Sequence, residues 1–168
     1  MPRQLSVLFA LVLVVAACGG DDDAAGEGGD AIDASGATPL VIVEVDFEAD
    51  RIVLRNRGES DYDLTGHWLC NRPTYVELPA EVLGAGDTID VAASSVGLSA
   101  AGGELGVYTA REFDNPDALI RYVAWGSAGQ GRQATAATAG VWGADDFVDN
   151  AGAALVSAGD NPMSSSDW

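Results

Sequence analysis

Leu40-Val41-Ile42-Val43-Glu44-Val45-Asp46-Phe47 and, after Glu48-Ala49-Asp50, Arg51-Ile52-Val53-Leu54-Arg55-Asn56 decide the fold class of this chain. In the first run Val41, Val43, Val45 and Phe47 alternate with Ile42, Glu44 and Asp46. That is the period of a strand with one face in a core and one in water. The second run sets Ile52 and Leu54 on one face and Arg51 and Arg55 on the other. Glu48-Ala49-Asp50 reads as the turn between them, and Asn56-Arg57-Gly58-Glu59-Ser60 as the turn after the second.

The same texture continues downstream. Strands are predicted over 67–71, 75–78, 88–92, 104–108 and 119–125, separated by Gly84-Ala85-Gly86-Asp87, Ala101-Gly102-Gly103 and Asn115-Pro116-Asp117. Seven short strands without a long amphipathic helix predict an all-β fold, an antiparallel β-sandwich. Beyond Trp125, Gly126-Ser127-Ala128-Gly129-Gln130-Gly131 reads as a flexible loop and 133–139 as one or two helical turns weakened by threonine. Val141-Trp142 and Phe147-Val148 are expected to pack back on the domain, because exposed Trp and Phe would be costly. One domain over 40–158 with a loose tail over 159–168 is the expected organisation.

Upstream of the domain the chain changes character twice. Residues 19–39 are Gly, Ala, Asp and Ser with Ile32 as the one large apolar side chain, too little apolar surface to offset the entropy of ordering. A flexible chain of that length reaches about 25 Å. Asp21-Asp22-Asp23 lacks the spaced ligands and fixed glycine of a calcium loop, so the stretch reads as a solvated acidic tether. Before it, residues 5–17 form an uncharged apolar run behind Arg3. The run is shorter than the roughly 20 residues needed to span a bilayer, and it ends in Val15-Ala16-Ala17-Cys18. This resembles the lipobox of bacterial lipoproteins, in which the cysteine receives a diacylglyceryl group before cleavage. The resemblance implies a signal peptide over 1–17, lipidation at Cys18, a tether over 18–39 and an anchored, extracytoplasmic protein of the bacterial cell envelope. Gly19 rather than Asp after the cysteine resembles lipoproteins sorted to the outer membrane where the host has one.

The chain carries 26 Asp+Glu against 8 Lys+Arg, a net charge of −18, and every basic residue is arginine. Such a surface repels phosphate backbones, so no nucleic-acid partner is expected. Membrane association then rests on the lipid, whose paired acyl chains anchor where a single one binds only marginally. With Cys18 acylated, Cys70 has no partner. It sits in Trp68-Leu69-Cys70 and is expected to be a buried, reduced thiol, the alternative being an intermolecular bridge.

The chemistry-bearing residues are sparse. The one histidine, His67, has no Gly-x-Ser-x-Gly elbow to serve. Zinc would need more His or Cys than His67 and Cys70, which at a spacing of three face opposite sides of a strand. The pairs Asp61/Asp63 and Asp145/Asp146 are of the kind that arise by chance in an acidic chain. No catalytic residue, metal site or cofactor is expected, and no binding residue is assigned. Tyr62, Tyr75 and Trp168 are candidate exposed aromatics, able to stack a sugar or anchor a partner.

Val43-Glu44-Val45-Asp46, Ile52-Val53-Leu54-Arg55-Asn56 and Leu64-Thr65-Gly66 resemble, in that order, the opening of the lamin tail domain family. The likeness continues through Leu78-Pro79, Leu83, Gly86-Asp87, Ile89, Val91, Leu98, Gly103-Glu104-Leu105, Val107-Tyr108 and Val123-Ala124-Trp125-Gly126. His67 stands where that family often carries tryptophan, Val53 replaces its usual acidic residue, and the segment after Gly126 lies outside the family core. The resemblance implies an immunoglobulin-like sandwich without catalytic apparatus. The expected function is that of a non-catalytic binding or structural module, a monomer with an unidentified protein or glycan partner; the alternative is an accessory subunit of a cell-envelope enzyme or assembly with catalysis on another chain.

Overall fold

The computed structural model describes residues 38–149 and 151–168. The expected signal peptide, Cys18 and nearly all of the tether lie outside the described residues. Among the described residues ten strands form: β1 (Leu40–Asp46), β2 (Arg51–Asn56), β3 (Tyr62–Asp63), β4 (Trp68–Asn71), β5 (Thr74–Glu77), β6 (Val82–Leu83), β7 (Thr88–Val91), β8 (Gly103–Tyr108), β9 (Leu119–Trp125) and β10 (Ala154–Val156). One helix, α1 (Gln133–Ala139), ends at Gly140, whose φ of 73° supplies the left-handed cap. No helix among the described residues is long and apolar enough to cross a membrane.

Two four-stranded antiparallel sheets make the sandwich. The first runs β10-β1-β2-β7 and the second β5-β4-β8-β9, with a short β3–β6 ribbon beside them. Leu40, Ile42, Val45, Ile52, Leu54 and Leu155 of the first sheet bury against Leu69, Leu105, Val107, Val123 and Trp125 of the second. All-β sandwich is therefore the observed class. The two-residue strands β3, β6 and the late β10 are additions to the seven expected.

The alternation in β1 changes phase where the sequence gives no warning. Ile42 pairs with Leu54 but Glu44 pairs with Val53, so Val43 is an extra residue, a bulge. Leu40, Ile42 and Val45 consequently line the core, not the Val41, Val43, Val45 series that alternation predicts. Val41 is buried on the opposite, outward face, across from Arg55.

Residues after Gly126 complete the second sheet. Trp142 packs edge-on to Tyr122, with ring centroids 6.1 Å apart. Val148 bridges in parallel to Trp125, its amide donating to the Ala124 carbonyl at 2.9 Å while the Gly126 amide donates back to Val148 at 2.9 Å. The stretch expected to be a flexible loop is pinned: Gly129 N–H donates to Gln133 Oε1, and Arg132 N–H to the Glu104 carboxylate. The expected loose tail is held as well. Ser164 and Asp167 cap a 3-10 turn over Ser165–Asp167, and the Ser165 amide and hydroxyl both donate to Asp146.

Candidate functional site

Asn56 closes β2 and organises the turns beyond it. It is fully buried, and its Nδ2 donates to the carbonyls of Ser60, Leu83 and Gly84 at 2.7, 2.9 and 3.1 Å. Its Oδ1 accepts from the Gly58 amide at 2.9 Å. One amide side chain thus ties together two turns, and the buried carbonyls it satisfies would otherwise be costly. The tie also fixes the residues on either side of it. Arg55 and Arg57, two positions apart, both project from the outward face of the first sheet beside Pro39 and Val41.

There the structure has a cavity of about 390 Å³, lined among others by Thr38, Arg55, Arg57, Gly86, Arg121 and Asp160. Arg55 Nε donates to the Gly86 carbonyl at 3.2 Å, at a turn whose φ of +81° favours glycine. Arg121 comes from β9 of the other sheet and donates to the carbonyls of Thr38 and Ile120. Arg57 pairs with Asp160, whose side chain is 97% exposed, so water screens the pair. Burial, and then the neighbouring Arg55, pull the Arg57 pKa below the ordinary arginine value. Arg57 Nε is buried and meets no acceptor among the described residues.

A second cluster lies on the outward face of the second sheet. Glu104 is 2% exposed and accepts from the amides of Arg72 and Arg132 at 3.2 and 2.5 Å and from the Tyr122 hydroxyl at 2.6 Å. The approach is so close that a Cβ on Gly131 would collide with Glu104 Oε1. Cys70 lies on this face as well, buried as expected, with its pKa pushed up to about 12 by burial and then by Glu104. Burial also raises Tyr122 and Tyr108. Raised thiol and phenol pKa values keep these groups protonated and unreactive at neutral pH. The Glu104 cluster works as a clamp that joins the β4–β5 turn to the turn before α1.

His67 is 3% exposed and its Nε2 lies 2.8 Å from the Tyr62 hydroxyl, which also accepts from Thr38 Oγ1 at 3.3 Å. His67, not Trp68, is the buried one of that pair; Trp68 is half-buried under the Arg111 guanidinium. Tyr62 is a correction. It is not an exposed aromatic but a core residue, because the ribbon turns its ring onto His67 at a centroid distance of 5.3 Å. Tyr75 and Trp168 are half-buried rather than exposed. Tyr75 stacks on Phe113 at 4.0 Å, and Trp168 packs against the core.

His67 and Cys70 are not brought together, and no group of metal-ligating side chains occurs among the described residues. Asp63 caps its own turn by accepting from the Thr65 amide at 2.8 Å, and Asp146 holds the tail. The arginine-lined cavity was not expected from the sequence. Its signal was Arg55-Asn56-Arg57, a same-face pair of cations at the end of a strand in a strongly acidic chain. No family model and no curated protein matches this chain.

Proposed function

We propose that this protein is a lipid-anchored, extracytoplasmic module of the bacterial cell envelope, whose immunoglobulin-like, lamin-tail-like sandwich binds or organises rather than catalyses. The observation that carries the reading is Val15-Ala16-Ala17-Cys18 at the end of an uncharged apolar run, followed by an acidic Gly/Ala/Asp stretch. The engagement of the few reactive side chains supports the non-catalytic part: His67 is spent on Tyr62, and Glu104 on two backbone amides and Tyr122. The ordered lamin-tail-like motifs support the immunoglobulin-like reading, and Asn56 of the Ile-x-Leu-x-Asn strand has a defined task as the tie between two turns.

In this reading Cys18 carries two acyl chains and the tether holds the domain clear of the headgroups. Each buried methylene contributes about 0.8 kcal/mol, so two chains hold firmly where one does not. Expressed in a bacterial host, the protein enters the detergent phase on cloud-point separation, and Cys18→Ser moves it to the aqueous phase. Unchanged partitioning of the variant would sink the anchor. A glycan and protein binding screen on the full chain then seeks the partner.

A further inference from the structure

Three of the chain's eight basic residues converge on one cavity of about 390 Å³, in a protein whose net charge is −18. Elsewhere the cations are used singly, as Arg51 with Glu44 at 2.5 Å, Arg132 with Asp114, and Arg111 over the Trp68 ring. Arg55 and Arg57 instead stand side by side, close enough that Arg55 opposes the charge on Arg57. Their partners, the Gly86 carbonyl for Arg55 and the exposed Asp160 carboxylate for Arg57, lie at the surface. The core is on the other face of β2, and the Asn56 tie uses amide and carbonyl groups only.

We propose that this cavity is a binding site for a small ligand carrying a carboxylate or phosphate group. The volume suits a small molecule. A planar guanidinium matches either oxyanion with two parallel N–H donors. Asp160 shows the chemistry within the chain itself. Its carboxylate sits on Arg57 from a nearly fully exposed position on the tail, so it is a displaceable occupant standing where a ligand carboxylate or phosphate binds. The acidity of the rest of the surface sharpens selectivity. A net charge of −18 gives no long-range pull on an anion, so association depends on a local fit rather than on diffuse attraction.

The inference rests on the binding-module reading above and adds the ligand's chemical class. The test is calorimetric titration of the full chain, purified in a nonionic detergent at low ionic strength, with citrate and separately with inorganic phosphate. At least one gives saturable one-to-one binding; citrate alone identifies a carboxylate ligand, and phosphate alone a phosphate ligand. Arg55→Gln and Arg57→Gln each weaken it about tenfold or more, the worth of a charge-assisted hydrogen bond. Arg111→Gln, away from the cavity, leaves it unchanged. Asp160→Asn tightens binding several-fold, because the resident carboxylate no longer competes. Arg55 is exposed, so Arg55→Gln keeps the test valid even if Arg57→Gln unfolds the domain. Absence of saturable binding by both anions, indifference to Arg55→Gln, or weaker binding in Asp160→Asn overturns the site. Loss of the site with detergent partitioning and a glycan or protein partner intact would leave the module reading standing.

Discussion

The two sheets of the sandwich have four strands each, and the β8–β9 half of the second meets water differently from the β2–β7 half of the first. In the second sheet every residue from Glu104 to Tyr108 and from Arg121 to Trp125 is buried, because the core covers one face, and Phe113 with the segment after Gly126 covers the other. In the first sheet β7 has no fully buried residue, and on the outward face Arg55 is exposed and Arg51 and Glu44 are half-buried, beside the buried Val41 and Val53. A polar group on a doubly covered sheet must find a partner inside the protein, whereas one on a half-open sheet has water as an alternative. Glu104 is therefore structural by necessity, whereas Arg55 on the half-open sheet meets solvent.

The largest expected effect tests that contrast directly. Glu104→Ala strips the acceptor from two amides and a tyrosine hydroxyl under a closed turn, and is expected to cost about 3 kcal/mol or more. Arg51→Ala breaks an ion pair of similar length on the open sheet and should cost at most about 1 kcal/mol. Urea denaturation of both variants measures the difference. Equal losses would break the distinction between the sheets.

A smaller effect comes from the buried thiol. The Cys70 pKa is about 12 in the folded protein against an ordinary value of 9.0. Folding therefore favours the protonated thiol; the contribution is fully present below pH 9 and is lost as pH rises towards 12. The melting temperature should fall over that window, and by less in Cys70→Ala. A thiol reagent should label Cys70 slowly in the native protein and quickly in denaturant. An identical alkaline slope in Cys70→Ala would assign the loss to the buried tyrosines instead.

The first sheet's side of the molecule gives the smallest effect. The tail that brings Asp160 to Arg57 is tied by Asp167, whose pKa is held below its ordinary 3.8 by hydrogen bonds from the Met163 amide and the Ser164 side chain. That support is present above about pH 4 and fades as pH falls through the lowered folded value. Asp167→Asn should cost about 0.5 kcal/mol. It should raise hydrogen exchange at Ser164 and Ser165 while leaving β8 and β9 protected. Loss of protection in β8 would mean that the tail supports the whole fold.

These two environments also explain what the sequence made legible. The apolar and polar residues of β2 and β7 alternate in the sequence, so both strands were legible there, although Val53 on the outward face of β2 is buried as well. β8 and β9 were located, yet their double burial was hidden because the covering layer comes from 126–148, with no pattern of its own beyond Val141-Trp142 and Phe147-Val148. The phase of β1 escaped because a bulge inserts Val43 without any glycine or proline to announce it. Tyr62 was misplaced for a related reason. A two-residue strand is too short to carry a period, and the burial of Tyr62 comes from its long-range partner Leu83 and from His67. The arginine cavity depends on contacts between Thr38, β2, β9 and the tail, positions that lie far apart along the chain.

The parallel bridge between Trp125 and Val148 has one more consequence. It occupies the Trp125 end of the outer rim of β9, where free amides and carbonyls would otherwise be a template for another chain. The other rims are β5 with Pro73 just before it and Glu77 at its end, β7 with Asp87 just before it and Asp90 within it, and the three-residue β10. Each is short, and β5 and β7 carry a negative charge. Copies held side by side therefore meet short, charged edges at β5 and β7, which disfavours edge-to-edge pairing there.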